Sequence, residues 1–273
     1  MAGDFPVVFA LYPRVTQLDF TGPFEVFARL PGARCILASA DGGSIQGDGG
    51  ITFSGVLRLA DVEACALLCV PGGFGTIEAM EDSAYLSELR RLAALSRFVT
   101  SVCTGSLLLA AAGLLRGKRA ACHWAWRELL SEFAVVPDPA RIVRDGNVIT
   151  GGGVTAGIDM ALSVMAEIAG ADHAQTVQLA MEYAPEPPFE CGRPERARPE
   201  IVAAALGGSI PFAPGAHWRS SAQRQPHGAE RLSRASRRRC VPIEHLQIAP
   251  ALDVAAADDH CDVLARHLAA LLQ

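Results

Sequence analysis

The stretch Val99-Thr100-Ser101-Val102-Cys103-Thr104-Gly105-Ser106 leads a β-branched and apolar run into a turn of small residues. It continues into Leu107-Leu108-Leu109-Ala110-Ala111. The first part predicts a buried strand and the last a helix, so Cys103 falls on a strand–turn–helix elbow. Such an elbow lifts one side chain clear of the sheet and aims backbone N–H groups and a helix N-terminus at it. A thiol held there is expected to have a lowered pKa and to react as the thiolate. A cysteine among apolar residues is ordinarily a buried, inert thiol, and the Thr104-Gly105 turn is what favours the reactive reading. Cys122, between Ala120-Ala121 and Trp124, lies on no equivalent elbow.

Working outward, Pro6–Leu11, Cys35–Ala40, Ala66–Val70 and Phe98–Val102 read as short strands, with a hairpin or edge segment around Ile51–Leu57. Helical patterns lie between them, one opening at Pro23, where a proline suits the first turn, and another over Ser83–Leu95. A further helix is expected around Trp124–Leu130, Val143–Thr150 reads as strand–turn–strand about Asp145-Gly146, and helices follow from Gly151-Gly152-Gly153 and over Ala171–Met181. Buried strands alternating with helices indicate an α/β fold, a mostly parallel sheet flanked by helices. Ligands of such sheets bind beyond the carboxyl ends of the strands. Asp19, Gly72-Gly73, Cys103 and Gly151–Gly153 all follow strand-like runs, which gives them a route to one crevice.

Each of these residues has two readings. Asp19 is either a cap for the helix after it or an acid/base group, and a nearby thiolate would favour its protonated form. Gly72 and Gly73 are either turn residues or donors of backbone N–H groups that, with Thr104, stabilise developing negative charge. His123 either faces Cys103 or packs beside Trp124. The triple glycine lacks the Lys-Ser/Thr of a phosphate loop, and Gly72-Gly73-Phe74-Gly75 lacks the dinucleotide fingerprint, so no nucleotide cofactor is expected. Cys65 and Cys69 have no second ligand pair at zinc spacing, so no metal is expected.

The 273 residues are 50% hydrophobic but only 6% aromatic, and carry a net charge of -5. That supplies an Ala/Val/Leu/Ile core and gives no electrostatic case for nucleic-acid binding. No uncharged run reaches the length of a membrane span. The start of the chain shows no leader pattern, and the eight cysteines lack the density of a small disulfide scaffold, so a cytoplasmic protein is expected. Residues 1–206 read as the catalytic domain. Residues 207–273 read as an Arg/Ala/Pro-rich extension, partly disordered, with a terminal helix over Leu252–Leu272.

Four segments taken together carry a family resemblance: Gln17-Leu18-Asp19-Phe20-Thr21-Gly22-Pro23, Val70-Pro71-Gly72-Gly73, Thr100–Ser106, and Thr150-Gly151-Gly152-Gly153-Val154-Thr155-Ala156-Gly157-Ile158-Asp159. They resemble the isocyanide-hydrating branch of the DJ-1/PfpI superfamily, which has a class-I glutamine-amidotransferase-like fold. The likeness runs through about residues 5–205, including Gln178-Leu179 and Glu182-Tyr183-Ala184-Pro185. It implies Cys103 as nucleophile and Asp19 as acid/base group. Gly72, Gly73 and Thr104 would position the substrate or its developing charge, with His123, Gly152 and Val154 near them. The implied reaction is cofactor-independent hydration of R–N≡C to an N-substituted formamide through a Cys103 thioimidate, in a homodimer. Several superfamily members use a glutamate where this chain carries Asp19. Peptidase-like members place histidine directly after the cysteine, where this chain has Thr104. A DJ-1-like glyoxalase and the ligand-sensing domain of a transcriptional regulator are the alternative readings.

Overall fold

The computed structural model describes residues 4–207. The extension read over 207–273, with its terminal helix, therefore lies outside the described residues, apart from Gly207. Among the described residues ten strands are formed: β1 Phe5–Ala10, β2 Ala33–Ser39, β3 Gly43–Gln46, β4 Thr52–Arg58, β5 Leu67–Val70, β6 Phe98–Val102, β7 Arg119–Ala120, β8 Val136–Pro137, β9 Ile142–Asp145 and β10 Val148–Gly151. The α-helices are α1 Gln17–Phe27, α2 Thr76–Glu81, α3 Ser83–Leu95, α4 Gly105–Ala111, α5 Ala156–Ala169, α6 Ala171–Ala180 and α7 Pro199–Leu206.

Eight strands form one sheet in the order β3-β4-β2-β1-β5-β6-β10-β9. Its six inner strands are parallel, and only the outermost pairings, β3 with β4 and β9 with β10, are antiparallel. Helices α1, α5 and α6 pack as one group, and α2, α3 and α4 as another. Between such layers the central strands are covered on both faces, which is why β5 and β6 are buried at every residue. Strand order reverses direction between β1 and β5, and a ligand crevice is expected at the carboxyl ends of the strands there.

The strands follow the sequence pattern closely, with two departures elsewhere. The helix expected to open at Pro23 begins at Gln17, and Pro23 lies inside it. The proline still fits because its ring fills the crossing with α5, only 2.9 Å from where a side chain at Gly157 would begin. Tertiary packing outweighs the missing N–H and the usual first-turn preference of proline. The segment expected as a helix around Trp124–Leu130 forms a 3-10 turn at Arg127–Phe133 instead. No helix among the described residues is long and apolar enough to cross a membrane.

Candidate active site

The elbow is real and is held from below by hydroxyls. Cys103 adopts φ 59°, a left-handed conformation in which Cβ crowds the backbone. Its amide donates to the carbonyls of Gly151 and Gly152 at 3.1 and 2.6 Å. The Ser106 hydroxyl donates to the Ala121 carbonyl, so Ser101 must supply the proton of the 2.8 Å Ser101–Ser106 contact. These bonds fasten the end of β6 to the start of α4 directly beneath the cysteine. Strain at one residue is tolerated when its surroundings fix it this firmly.

Asp19 stands in the first turn of α1, fully buried, and caps nothing; the residue before the helix is Thr16, with no side-chain cap. Its Oδ2 accepts the Gly72 amide at 2.9 Å. Its Oδ1 is buried without a hydrogen bond of good geometry. An ionised carboxylate so poorly solvated is costly, and burial pushes the Asp19 pKa up to about 7, with Asp48 adding a smaller push. The Gly72 amide and a weak interaction with the Cys103 thiol act in the opposite direction.

The Cys103 thiol departs from the expected lowered pKa. Burial raises it well above the ordinary value, the Asp19 carboxylate raises it further, and only the Thr104 amide favours the thiolate. The start of the seven-residue helix behind it acts through the Thr104 amide, and burial outweighs that one donor. Cys69 and Cys122 are likewise pushed up to about 12 by burial, and Cys35 and Cys65 to about 11. A perturbed pKa therefore does not single out Cys103. Its distinction is position: it sits on the elbow, coupled to Asp19, at the wall of a narrow cleft.

That cleft, about 20 Å³, is bounded by Thr16, Gly73, Phe74, Cys103, Thr104, His123 and Trp126. It has room for about one water-sized group. The Gly72-Gly73 loop serves it differently from the expected amide pair, because both N–H groups are engaged by the protein: Gly72 with Asp19, and Gly73 with Thr104 Oγ1 at 3.0 Å. Thr104 then donates to Thr76 Oγ1 at 2.7 Å, and Thr76 donates back to the Gly73 carbonyl at 2.7 Å. The Tyr12 hydroxyl, 3.0 Å from Thr76 Oγ1, also reaches the Pro71 carbonyl. The loop thus orients Asp19 and Thr104. Gly72 is required for this, since a Cβ there would lie 2.5 Å from the Thr104 nitrogen and 2.8 Å from Asp19 Oδ2. Thr76 and Tyr12 were missed in the sequence, where a threonine and a tyrosine on separate segments carry no shared pattern.

His123 lines the cleft that Cys103 also bounds, and its ring packs beside Trp124, the two ring centroids 5.7 Å apart. Its Nδ1 accepts the Ala125 amide, which leaves the proton on Nε2. Burial lowers its pKa to about 4, so at neutral pH the ring is uncharged. It is a hydrogen-bond donor in this arrangement, not a base. Gly152 and Val154 line a second pocket on the other side of His123. Among the described residues, no group of three or more His, Cys, Asp or Glu is placed to hold a metal ion.

The model of the DJ-1/PfpI family matches residues 6–167, which include Asp19, the glycine loop and the elbow. The chain belongs to the DJ-1/PfpI family. Within it, the chain is 48% identical over 194 residues to the isonitrile hydratase of Pseudomonas putida, a match covering 71% of this chain and 85% of that enzyme. It is 34% identical over 179 residues to the HTH-type transcriptional regulator CdhR of Pseudomonas aeruginosa, covering 62% of this chain and 52% of the regulator. Among solved structures, a ThiJ/PfpI family protein from Pseudomonas syringae superposes with a TM-score of 0.74 at 36% identity, covering 77% of this chain and 88% of that one. The matched residues run from β1 into α5 and so include the β1–β5 switch point and the elbow that follows the neighbouring strand β6.

Proposed function

We propose that this DJ-1/PfpI protein is an isocyanide hydratase that converts R–N≡C and water to R–NH–CHO, with Cys103 as nucleophile and Asp19 as proton carrier. The observation that carries the reading is the buried Asp19–Cys103 pair on the strand-end crevice. The 48% identity to an isonitrile hydratase across most of that enzyme's length supports it.

The terminal isocyanide carbon accepts a nucleophile and a proton at the same atom. In the starting pair the thiol is protonated and the carboxylate is ionised. Asp19 takes the thiol proton as sulfur attacks, then delivers it to the carbon, giving the thioimidate R–N=CH–S–Cys103. A single carboxyl can perform both transfers because its pKa of about 7 matches the working pH. Water then adds to the thioimidate carbon, and one of its protons passes to nitrogen. As the C–S bond breaks, the hydroxyl proton returns to sulfur, releasing the formamide and restoring the thiol. Covalent catalysis splits one difficult hydration into two easier steps. The Thr104 amide is the donor that favours the thiolate, and the neutral His123 lines the cleft beside it.

The test is product-resolved: formamide from a neutral isocyanide, with Cys103→Ala and Asp19→Asn as variants. Formamide formation that Cys103→Ala abolishes supports the reading. Stronger Cys103-dependent turnover of glyoxals would favour a glyoxalase instead. The likeness to CdhR favours a sensing role as the second reading; selective DNA binding without hydration would establish it. A cytoplasmic homodimer without nucleic-acid partners completes the proposal. Support comes from the net charge of -5 and from α7, an apolar helix with no buried residue. Leu179 and Phe189 are also left exposed near the end of the described chain.

A further inference from the structure

Beyond His123 lies a second cavity of about 240 Å³, an order of magnitude larger than the cleft at Cys103. The His123 ring is a wall of both. The larger cavity is lined by three arginines, Arg127, Arg141 and Arg193, against one carboxylate, Glu195. These arginines are not equivalent. Arg141 is committed to Asp159 and Thr155. Arg127 is largely buried, its side chain 18% exposed, and its ion-pair partner is Glu128, reached at 3.5 Å through Nε and itself 77% exposed. Asp138, the other carboxylate that responds to Arg127, is already hydrogen-bonded to Arg119. The Arg127 guanidinium therefore keeps its terminal nitrogens without a hydrogen bond among the described residues.

Those nitrogens are not sealed in the core, since the buried polar atoms left without a partner among the described residues are Gln17 Oε1 and Asp19 Oδ1; as Arg127 lines the cavity, they are donors available to a ligand there. The planar donor fork of a guanidinium matches a carboxylate. His123 adds no competing charge, since it is neutral. The reacting carbon of an isocyanide is terminal, so its substituent must point away from Cys103, and the 20 Å³ cleft has no room for it.

We propose, resting on the hydratase reading above, that the cavity beyond His123 receives the substituent of the isocyanide and that Arg127 selects substituents ending in a carboxylate. Arg127 is then a specificity-determining residue, and the substrate class is an anionic isocyanide with several atoms between nitrogen and carboxylate.

The test compares 4-isocyanobutanoate with its uncharged amide, 4-isocyanobutanamide, at matched concentrations. The expected kcat/KM ratio favours the carboxylate by at least tenfold and shrinks as ionic strength rises. Arg127→Gln is expected to lower that ratio at least fivefold, through KM for the carboxylate, while Arg127→Lys retains part of it. A variant that merely folds poorly would lose both activities together and leave the ratio unchanged. A wild-type ratio near one, or a ratio indifferent to Arg127→Gln, overturns the proposal while the hydratase reading stands. Formamide from neither compound, nor from any other isocyanide, removes the hydratase reading itself.

Discussion

The Asp19 carboxylate and the Cys103 thiol share one buried site in which each governs the other's proton. The ionised carboxylate keeps sulfur protonated, and the thiol in turn favours the ionised carboxylate. They arrive from different strands, Asp19 after β1 and Cys103 after β6, and the β5 loop fixes their spacing through the Gly72 amide. The pair titrates as a unit, and its protonation determines whether sulfur can be activated.

The first consequence is a pH dependence of rate. The active form carries one proton on the pair, with the thiol protonated and Asp19 ionised. Below pH 7 a second proton occupies Asp19 and removes the base. Expected kcat/KM therefore rises with pH to a midpoint near 7 and holds level above it until the thiol itself ionises. Asp19→Asn should lower kcat at least 100-fold and abolish that rise. A variant with the wild-type profile would leave Asp19 no part in proton transfer.

The same shift acts on stability. The folded pKa of about 7 lies above the roughly 3.9 of an unfolded aspartate. Between those values the folded state holds the extra proton, so stability falls as pH rises from about 4 to 7 and then levels off. The full shift corresponds to about 4 kcal/mol, an upper figure for a pair that relaxes together. Asp19→Asn should flatten this slope and unfold later than the wild type at pH 8, as read by urea denaturation across pH. A wild-type stability that is constant over this window would contradict the buried, reluctantly ionised carboxylate.

Cys103 offers a separate test of strain. At φ 59° a residue with a Cβ is disfavoured by roughly 1–2 kcal/mol relative to glycine. Cys103→Gly and Cys103→Ala should both be inactive, but the glycine variant should be the more stable by about 1 kcal/mol in denaturant melts. In an ordinary helical or extended position the order would reverse, because glycine loses more chain entropy on folding. Greater stability of the alanine variant would mean that the elbow is not held in this conformation.

Much of this is legible in the sequence. The apolar runs at Leu67–Val70 and Phe98–Val102 have to be buried strands, and Cys103 stands where one of them turns into a helix. Local pattern carries such information because burial on both faces leaves a continuous apolar run. What it cannot carry is the partner of a polar atom. The Gly72 and Gly73 amides looked like free donors because nothing nearby in sequence reveals that Asp19 and Thr104 accept them. The same limit hid the thiol pKa: an elbow predicts a lowered value, whereas the desolvation that raises it comes from distant packing. Helix α2, six residues long, was missed because so short a span shows too little periodicity.

Thr104 can be separated from its shape. Its hydroxyl accepts the Gly73 amide and donates to Thr76, and a valine fills the same space without doing either. Thr104→Val should cost about 1–3 kcal/mol through the buried groups left unpaired, and reduce kcat roughly tenfold as the loop loosens. Thr104→Ser keeps both bonds and should stay within a few-fold of wild type. Equal behaviour of the two variants, in melts and in rate, would reduce the threonine network to space filling.

Arg141 is expected to act on the nucleophile without touching it. Its carbonyl accepts the Gly152 amide at 2.9 Å, and the Gly152 carbonyl in turn accepts the Cys103 amide. Its guanidinium pairs with Asp159 and Thr155, at the far end of the same short loop, while Asp159 also accepts the Tyr183 hydroxyl at 2.8 Å. Arg141 thus clamps both ends of the Gly152–Thr155 segment that tethers the elbow. With a neutral isocyanide, which sets aside any charge effect in the neighbouring cavity, Arg141→Gln and Asp159→Asn should each lower kcat about tenfold. The double variant should be little worse than either, because removing one partner already releases the other. Fully additive losses would mean that the two residues act separately and that the backbone bonds alone hold the loop.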